Sequence, residues 1–298
     1  MDRRPDISII GPGKVGTAIG ILAAKAGYRI VAVAGRTARS ARSAAERIGG
    51  DVRAVAPAEA AAAGGLVLLT VPDEAIQILC EDLAGRGAFA EGAIVAHCCG
   101  ALGSEVLAAA QSRCGCAVGS MHPLQTFPTV ESAVAKLPGT WCFVEGDDEA
   151  VAALVELAGA IGAKAVRMKA AGRALYHASA VMACNYLVAL IDAALALAQR
   201  AGIDRQTAAK ALEPLVRATV DNVAELGPEK ALTGPIARGD RGTVERHLKA
   251  LAECPPELAN FYRAAGAWTA DLARRKGTID GATAEALRQL LNPEKAKE

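Results

Sequence analysis

The stretch IIGPGKVGTAIG at residues 9–20 constrains this chain more than any other. Ile7, Ile9 and Ile10 read as a buried strand, and helical spacing follows from Thr17 to Gly27. Between them stands Gly11-Pro12-Gly13-Lys14-Val15-Gly16, a G-x-G-x-x-G turn. Gly11 permits the tight turn, Gly13 lets backbone approach a pyrophosphate, and Gly16 lets helix pack closely on strand. The helix that follows aims its first N–H groups and positive dipole end at such an anion. Alone the pattern is weak evidence. Here it follows a strand and opens a helix, so it predicts a nucleotide site built from Gly11, Pro12, Gly13, Lys14, Val15 and Gly16.

The 298 residues are enough for two domains and a sizeable core. A formal net charge of +1 argues against a nucleic-acid or membrane-surface partner, and 3% aromatics leaves little for base stacking. The N-terminal MDRRPDISII runs into the first strand without a cleavable apolar segment, which predicts a cytoplasmic chain. Most of the cysteines (Cys80, Cys142 and Cys184 among them) lie in apolar contexts as small core residues. A zinc site from His97, Cys98 or Cys99 and His122 lacks recurrent ligand spacing, so no metal is expected. Ala178 to Ala198 is long and apolar enough to span a bilayer. However, Asp192 would cost ~3 kcal/mol there, and alanine rather than leucine dominates. The segment is expected instead to be a helix buried on most sides within a soluble protein. Its apolar face exceeds what one thin helical layer can cover, which predicts a homodimer through the helical domain.

Along the chain, Tyr28 to Ala34 reads as a second strand ending at Gly35-Arg36-Thr37. An NAD-binding unit usually has an acid here, about twenty residues past the glycines, to hold the ribose hydroxyls. This chain has Arg36, with Thr37, Arg39 and Ser40 beside it. A guanidinium can grip a 2′-phosphate that an acid would repel, which makes the expected cofactor NADP(H). The plainer alternative is a solvated Arg opening a surface helix. Val52 to Val55 and Leu66 to Val71 continue the strand series. The latter ends in Val71-Pro72-Asp73, where Val71 and Pro72 are expected to wall the cofactor. Strands at 93–96, 116–121, 140–144 and 164–168 follow, interleaved with helices. Past Met168 the strand signal stops and helices are predicted at 171–201, 205–226, 243–252, 258–276 and 283–291, with a charged tail beyond. The fold class is therefore α/β, a doubly wound and mostly parallel sheet over residues 1–168 followed by an all-helical domain over 169–298.

Several polar residues look out of place. His177, Val181 and Asn185 are spaced four apart and share one face of the predicted long helix. They either satisfy a helical core or subunit contact, or supply donors to a substrate. His122 ends a strand inside Met121-His122-Pro123-Leu124-Gln125-Thr126-Phe127; it either bonds its own loop or donates a proton. Arg238 and Asp240, in the turn-rich Leu232-Thr233-Gly234-Pro235-Ile236-Ala237-Arg238-Gly239-Asp240, either pair with each other or reach a polar ligand.

The GPGKVG turn, Gly35-Arg36-Thr37, Val71-Pro72-Asp73, HCCGALGSEVL (97–107), MHPLQTF (121–127), YHASAVMACNYLVAL (176–190) and LTGPIARGDRGTVERHLKAL (232–251) occur in that order. Together they resemble the family of Rossmann-like NADP oxidoreductases with a C-terminal helical domain of unknown function. More distantly the layout is similar to pyrroline-carboxylate reductases, ketopantoate reductases and 6-phosphogluconate-type dehydrogenases. The resemblance implies NADPH-dependent hydride transfer and dimers built through the helical domains. It implies no substrate. The hydroxyacid dehydrogenases carry a catalytic Lys followed four residues later by Asn. Neither Lys169 nor Arg173 is followed by that Asn here, so the assignment does not carry over.

The expectation is thus an NADPH-dependent reductase of a small C=O or C=N compound held between the two domains. His177 or His122 would donate the proton, Asn185 would orient the substrate, and Arg238, with Asp240 beside it, would meet a carboxylate or other polar group. A second reading drops catalysis and leaves an NADP(H)-binding sensor or partner protein. A third has a deazaflavin as the hydride partner.

Overall fold

The computed structural model describes residues 4–292. The charged tail expected past the last helix therefore lies outside the described residues. All eight predicted strands form: β1 (Ile7–Ile10), β2 (Ile30–Ala34), β3 (Arg53–Ala54), β4 (Leu66–Leu69), β5 (Ile94–His97), β6 (Ala117–Pro123), β7 (Trp141–Gly146) and β8 (Lys164–Arg167). They make one sheet in the order β3-β2-β1-β4-β5-β6-β7-β8. The chain steps outward from β1 to β3, then returns to the other side of β1 at β4. That reversal opens a crevice at the carboxyl ends of β1 and β4, where doubly wound sheets bind ligands.

Each pairing is parallel except β6 with β7. The connection from β6 carries only the short helix α6 (Val130–Lys136) and brings the chain back beside β6 in the opposite sense. Gly119 faces Gly146 across that pair. Gly146 has φ +132, and a Cβ there would stand 2.3 Å from the Val118 carbonyl oxygen, so only glycine fits.

The helices cover both faces. α1 (Lys14–Lys25), α2 (Ala38–Ile48), α6 and α7 (Asp148–Ala160) supply one apolar layer with Ile9, Leu66, Leu68 and Met121. α3 (Pro57–Ala63), α4 (Asp73–Gly85) and α5 (Ala108–Cys114) supply the other with Ile10, Val67, Leu69 and Val95. Along β4 the four residues alternate between the two layers, as strand pleating requires, and all four are fully buried. α5 and α6 escaped sequence reading because each has seven residues and buries one alanine, too little for a 3.6-residue period to register.

The chain divides into two compact units, Met1–Asn185 and Tyr186–Glu298. The boundary falls past the last strand because α8 (Arg173–Ala183) is held to the sheet's edge, as described below. The second unit holds α9 (Asn185–Arg200, counted from its first residue at the boundary), α10 (Arg205–Leu226), α11 (Pro228–Ala231), α12 (Arg241–Leu251), α13 (Pro256–Lys276) and α14 (Gly281–Leu291). Its core gathers Ile236, Val244, Ala270, Leu287 and Leu291. Asp204, Asp240 and Asp280 each accept the N–H of a threonine three residues on, capping α10, α12 and α14. The caps place the last two helix starts slightly earlier than hydrophobic spacing alone predicts.

Two expectations for residues 171–201 need correction. The segment is not one regular helix: Cys184 departs to φ −114, ψ −68 between α8 and α9. Nor is it buried on most sides in the single chain, since only 6% of its most apolar 18-residue window is buried. By length and composition it is also the one helix among the described residues long and apolar enough to cross a membrane. Met182 on α8 and Tyr186, Val188 and Leu190 on α9 stay exposed, because the chain's own helices do not cover them.

Truncating Leu68 to Ala at the centre of β4 should cost about 3 kcal/mol through the cavity it leaves. The urea midpoint should fall with an unchanged slope.

Candidate functional site

The glycine turn closes through β4. Gly11 sits at φ +96, and a Cβ on it would meet Val71 Cγ1 at 2.6 Å and the Thr70 carbonyl carbon at 2.7 Å. Thr70 Oγ1 donates to the Gly11 carbonyl at 2.6 Å, tying the turn after β1 to the end of β4. Gly16 lies over this clasp: a Cβ there would be 2.2 Å from Thr70 Oγ1 and 3.1 Å from Ile9 Cγ2. Gly20 continues the close approach, with Ile48 Cδ1 at 2.6 Å and Ile9 Cδ1 at 2.8 Å from the missing carbon. Gly13 differs. A Cβ on it would meet nothing nearer than the Gly11 carbonyl at 4.0 Å. Its lack of a side chain relieves no clash within the protein and leaves its backbone open to a ligand.

Gly13 caps α1 with no side-chain bond to the first turn, and no acid occupies that turn. Its first N–H groups and dipole end are thus free to meet an anion. Beside them a cleft of about 490 Å³ is lined by Gly11, Arg36, Pro57, Val71, Pro72 and Ile78 among others. The walls are mostly apolar and suit a planar heterocycle, with Arg36 at hand for a phosphate. Arg36 is exposed and forms no ion pair among the described residues. Lys14 is also exposed, while Val15 is half-buried beneath the turn. Thr37 is committed elsewhere: its Oγ1 accepts from Ser40 N at 3.1 Å and caps α2. Pro72 opens α4, whose first turn carries Asp73 and Glu74. These residues fit a dinucleotide whose pyrophosphate lies on α1 and whose adenosine half enters the cleft.

Three strand ends further along the same edge stand His122, Tyr176 and His177. His122 Nδ1 lies 2.7 Å from Tyr176 Oη, and the Phe143 ring packs against Tyr176 at 4.4 Å between centroids. His177 meets His122 edge-on at 6.2 Å. Both imidazoles close on Gly100, where a Cβ would be 2.7 Å from His122 Nε2 and 2.8 Å from His177 Cδ2. Burial pushes the His122 imidazole down to about 4, with the Arg173 and His177 charges acting in the same direction. Burial pushes the Tyr176 phenol up to about 12. Both groups are therefore neutral near pH 7.

His97, wholly buried, spans its own loop, with Nε2 3.0 Å from the Gly103 carbonyl and Nδ1 accepting from Cys99 N. Among the described residues no three His, Cys, Asp or Glu side chains converge as metal ligands.

Asn185 opens α9 on an exposed face, beyond the irregular Cys184, so it does not share one regular helix with His177. Arg238 and Asp240 belong to the second unit. Arg238 is exposed, and the two form no ion pair with each other among the described residues. Asp240 is engaged in its cap, accepting from Thr243 N at 3.0 Å and Thr243 Oγ1 at 2.6 Å. Those bonds, the side-chain one first, hold its carboxyl below the usual range.

Sequence reading missed a buried polar cluster behind the histidines. Glu145 on β7 accepts from Ser104 N at 2.7 Å, Ser104 Oγ at 3.0 Å and Ser120 Oγ at 2.8 Å. Arg173, the first residue of α8, lies 3.5 Å from Glu145 Oε1 and donates through Nη2 to the Cys99 carbonyl. No local pattern announces this group, because its members come from four separate elements.

The two glycines separate fold from binding. Gly16→Ala should lower both stability, by about 1–3 kcal/mol through overpacking, and dinucleotide affinity. Gly13→Ala should leave the melting temperature within a degree or so and weaken dinucleotide binding roughly tenfold or more in calorimetric titration.

A model of a Rossmann-like domain matches residues 1–123, and a model of a domain of unknown function, DUF2520, matches residues 140–269. Among solved structures, the candidate NADP oxidoreductase BF3122 from Bacteroides fragilis is 25% identical with a TM-score of 0.67, over 85% of this chain and 93% of that one. Protein TM1727 from Thermotoga maritima is 23% identical with a TM-score of 0.69, over 97% of this chain and 99% of its own. A reductive aminase from Aspergillus terreus, solved with NADPH and ethyl-5-oxohexanoate, is 17% identical with a TM-score of 0.59, over 99% and 95% of the two chains. At these identities the last two likenesses establish shared fold. No curated protein matches the chain. The chain thus matches a Rossmann-like domain and, after it, a DUF2520 domain.

Proposed function

We propose that this protein is an NADPH-dependent reductase of a small C=O or C=N compound. The reading is carried by one juxtaposition along a single sheet edge. An open glycine turn and an uncommitted Arg36 lie at β1 and β2, and the His122–Tyr176 pair stands at β6. The names of related folds, a candidate NADP oxidoreductase and a reductive aminase bound to NADPH, agree with it. When bound, the dinucleotide would supply a hydride. Its pyrophosphate would rest on the first turn of α1, its adenine in the cleft beside Val71 and Pro72, and its 2′-phosphate against Arg36.

The chain's own residues would handle the proton. With Tyr176 Oη donating to Nδ1, the neutral His122 carries its hydrogen on Nε2, the nitrogen that abuts Gly100. Loss of that hydrogen to the substrate would be balanced by the Tyr176 hydroxyl proton passing to Nδ1, leaving a phenolate, and the resting pair adds no cation to repel the positively charged oxidised ring. His177, half-buried across Gly100, is the second candidate donor. Asn185 and Arg238 remain candidates for orienting a polar substrate. Asp240 is already spent on its cap and is the weaker of the substrate-binding pair. The eight free thiols suit a reducing, cytoplasmic setting.

The same reading takes the protein as a homodimer through its helical domain. Its support is the bare apolar surface of α9 (Tyr186, Val188, Leu190) and of α10 (Leu215, Val220, Val223, Leu226). Asp192 on α9 is ion-paired with Arg205, which suits an aqueous or subunit boundary better than lipid.

Calorimetry should find NADPH bound at least roughly tenfold more tightly than NADH, and Arg36→Asp should reverse or abolish that preference. NADPH oxidation with a panel of keto and imino compounds should then fall by about 10²–10⁴-fold in His122→Ala or Tyr176→Phe. Tight NADPH binding with no turnover across the panel would favour a sensor instead. Turnover only with a deazaflavin would favour that partner.

Sedimentation velocity should give a dimer, converted to monomer by Val188→Asp together with Leu215→Asp. A monomeric wild-type protein would overturn the assembly.

A further inference from the structure

We propose that Arg173, clasped by Glu145 and the Cys99 carbonyl, is the positioning residue that fixes the His122–Tyr176 pair at the carboxyl edge of β5 and β6. The inference rests on reading that pair as the proton source. It starts from an inversion of the usual helix pattern. Among the described residues of α8, Arg173 alone is buried, while the apolar Leu175 and Met182 are exposed. The helix therefore docks on the sheet through a charge rather than an apolar stripe.

Geometry makes that charge a pin. Arg173 is 4% exposed and Glu145 3%. Glu145 comes from β7, the Cys99 carbonyl from the loop after β5, and the guanidinium from the first turn of α8. One side chain thus ties three elements together. Tyr176 and His177 lie three and four residues further on, hence on the same helical face, and a fixed Arg173 sets the rotation at which both meet the edge. Without the pin, the Tyr176 contacts with His122 and Phe143 and the approach of His177 to Gly100 and His122 would have to set the helix rotation.

The partnering is also uneven. Glu145 receives three good hydrogen bonds, whereas Arg173 Nε is buried without a partner and Nη1 has only Glu145 at 3.5 Å and the Met168 sulfur at 3.8 Å. Buried ion pairs rarely add net stability over apolar packing, and their best-attested use is to specify one arrangement. Here the arrangement specified is the helix rotation. The guanidinium has a second consequence. The charged and titratable groups facing His122 are Arg173, Tyr176 and His177 from α8, His97 from β5, and Asp73 at the start of α4. After burial, Arg173 is the strongest of the influences that keep the imidazole neutral.

The test follows the four histidine rings by NMR across pH, with His122 assigned through His122→Gln. In the wild type His122 should titrate near 4, with one dominant tautomer in its ring nitrogen shifts. In Arg173→Met its midpoint should rise by about one unit or more and the tautomers should mix, while Arg173→Lys should recover part of the shift. NADPH affinity should change less than about threefold in both, because the glycine turn is untouched. Should Arg173→Met fail to fold, Glu145→Gln serves instead. It leaves the cation in place but releases the clasp, so the tautomers should mix without a rise in midpoint. A folded Arg173→Met protein with the wild-type His122 midpoint and tautomer overturns the proposal, as does a folded Glu145→Gln protein with an unmixed tautomer. Those results would leave the reductase reading standing. Failure of the wild type to bind NADPH would do the reverse, since the titration needs no cofactor.

Discussion

The first unit depends on how closely α1 can approach β1 and β4. Backbone and side chains fill the space where Gly11, Gly16 and Gly20 would carry a β-carbon, so the helix lies nearer the sheet than any alanine would allow. That proximity lets Thr70 reach the Gly11 carbonyl and lock the turn to the neighbouring strand end. Everything at the crevice inherits its position from this contact. The first turn of α1 points across the sheet edge, Val71 and Pro72 are held beside Gly11, and Arg36 enters the same cleft from β2. Gly13 is the exception that gives the arrangement a purpose, because nothing in the protein claims the space around it.

Much of this was legible in the sequence, for physical reasons. Parallel strands buried on both faces read as continuous apolar runs, so Leu66 to Leu69 announced β4 without ambiguity, and each strand lies within a residue or two of its expected span. The steric demands on Gly11 and Gly16 follow from the spacing of the turn alone. The reversed sense of β7 was not legible, since strand direction depends on how the connection returns and not on the strand's own residues. The irregular Cys184 was also hidden: no proline or glycine marks it, and helical spacing continues on either side.

The exposure of the long apolar helix is illegible for a related reason. A sequence pattern reports that a face is apolar, but not whether the same chain supplies its cover. Residues 178–198 read as a core helix, and in the single chain they face outward. At the candidate site, His122, His177 and Arg238 stood out as isolated polar residues in turn or apolar contexts. Glu145, Ser104 and Ser120 did not, because a carboxylate on a strand and two serines are unremarkable until the fold brings them within hydrogen-bond distance. Asp240 stands beside Arg238, but the Asp-x-x-Thr spacing it shares with Asp204 and Asp280 is a helix-cap signal.

The two ends of the crevice solve opposite electrostatic problems. Around the glycine turn, fixed backbone dipoles and an exposed guanidinium offer positive potential to water, ready to exchange solvent for a polyanion. At β6, a buried guanidinium is matched by a buried carboxylate, and the groups between them and the open edge, His122 and Tyr176, are neutral. Burial disfavours a charged imidazolium there and the Arg173 guanidinium adds to that effect, so the neutral form is the stable one. In the proposed reaction this matters for sequence of events as well as for energy. Charge would arrive with the dinucleotide at one end, and a neutral hydrogen-bonded pair would release its proton at the other only as hydride transfer builds negative charge on the substrate atom.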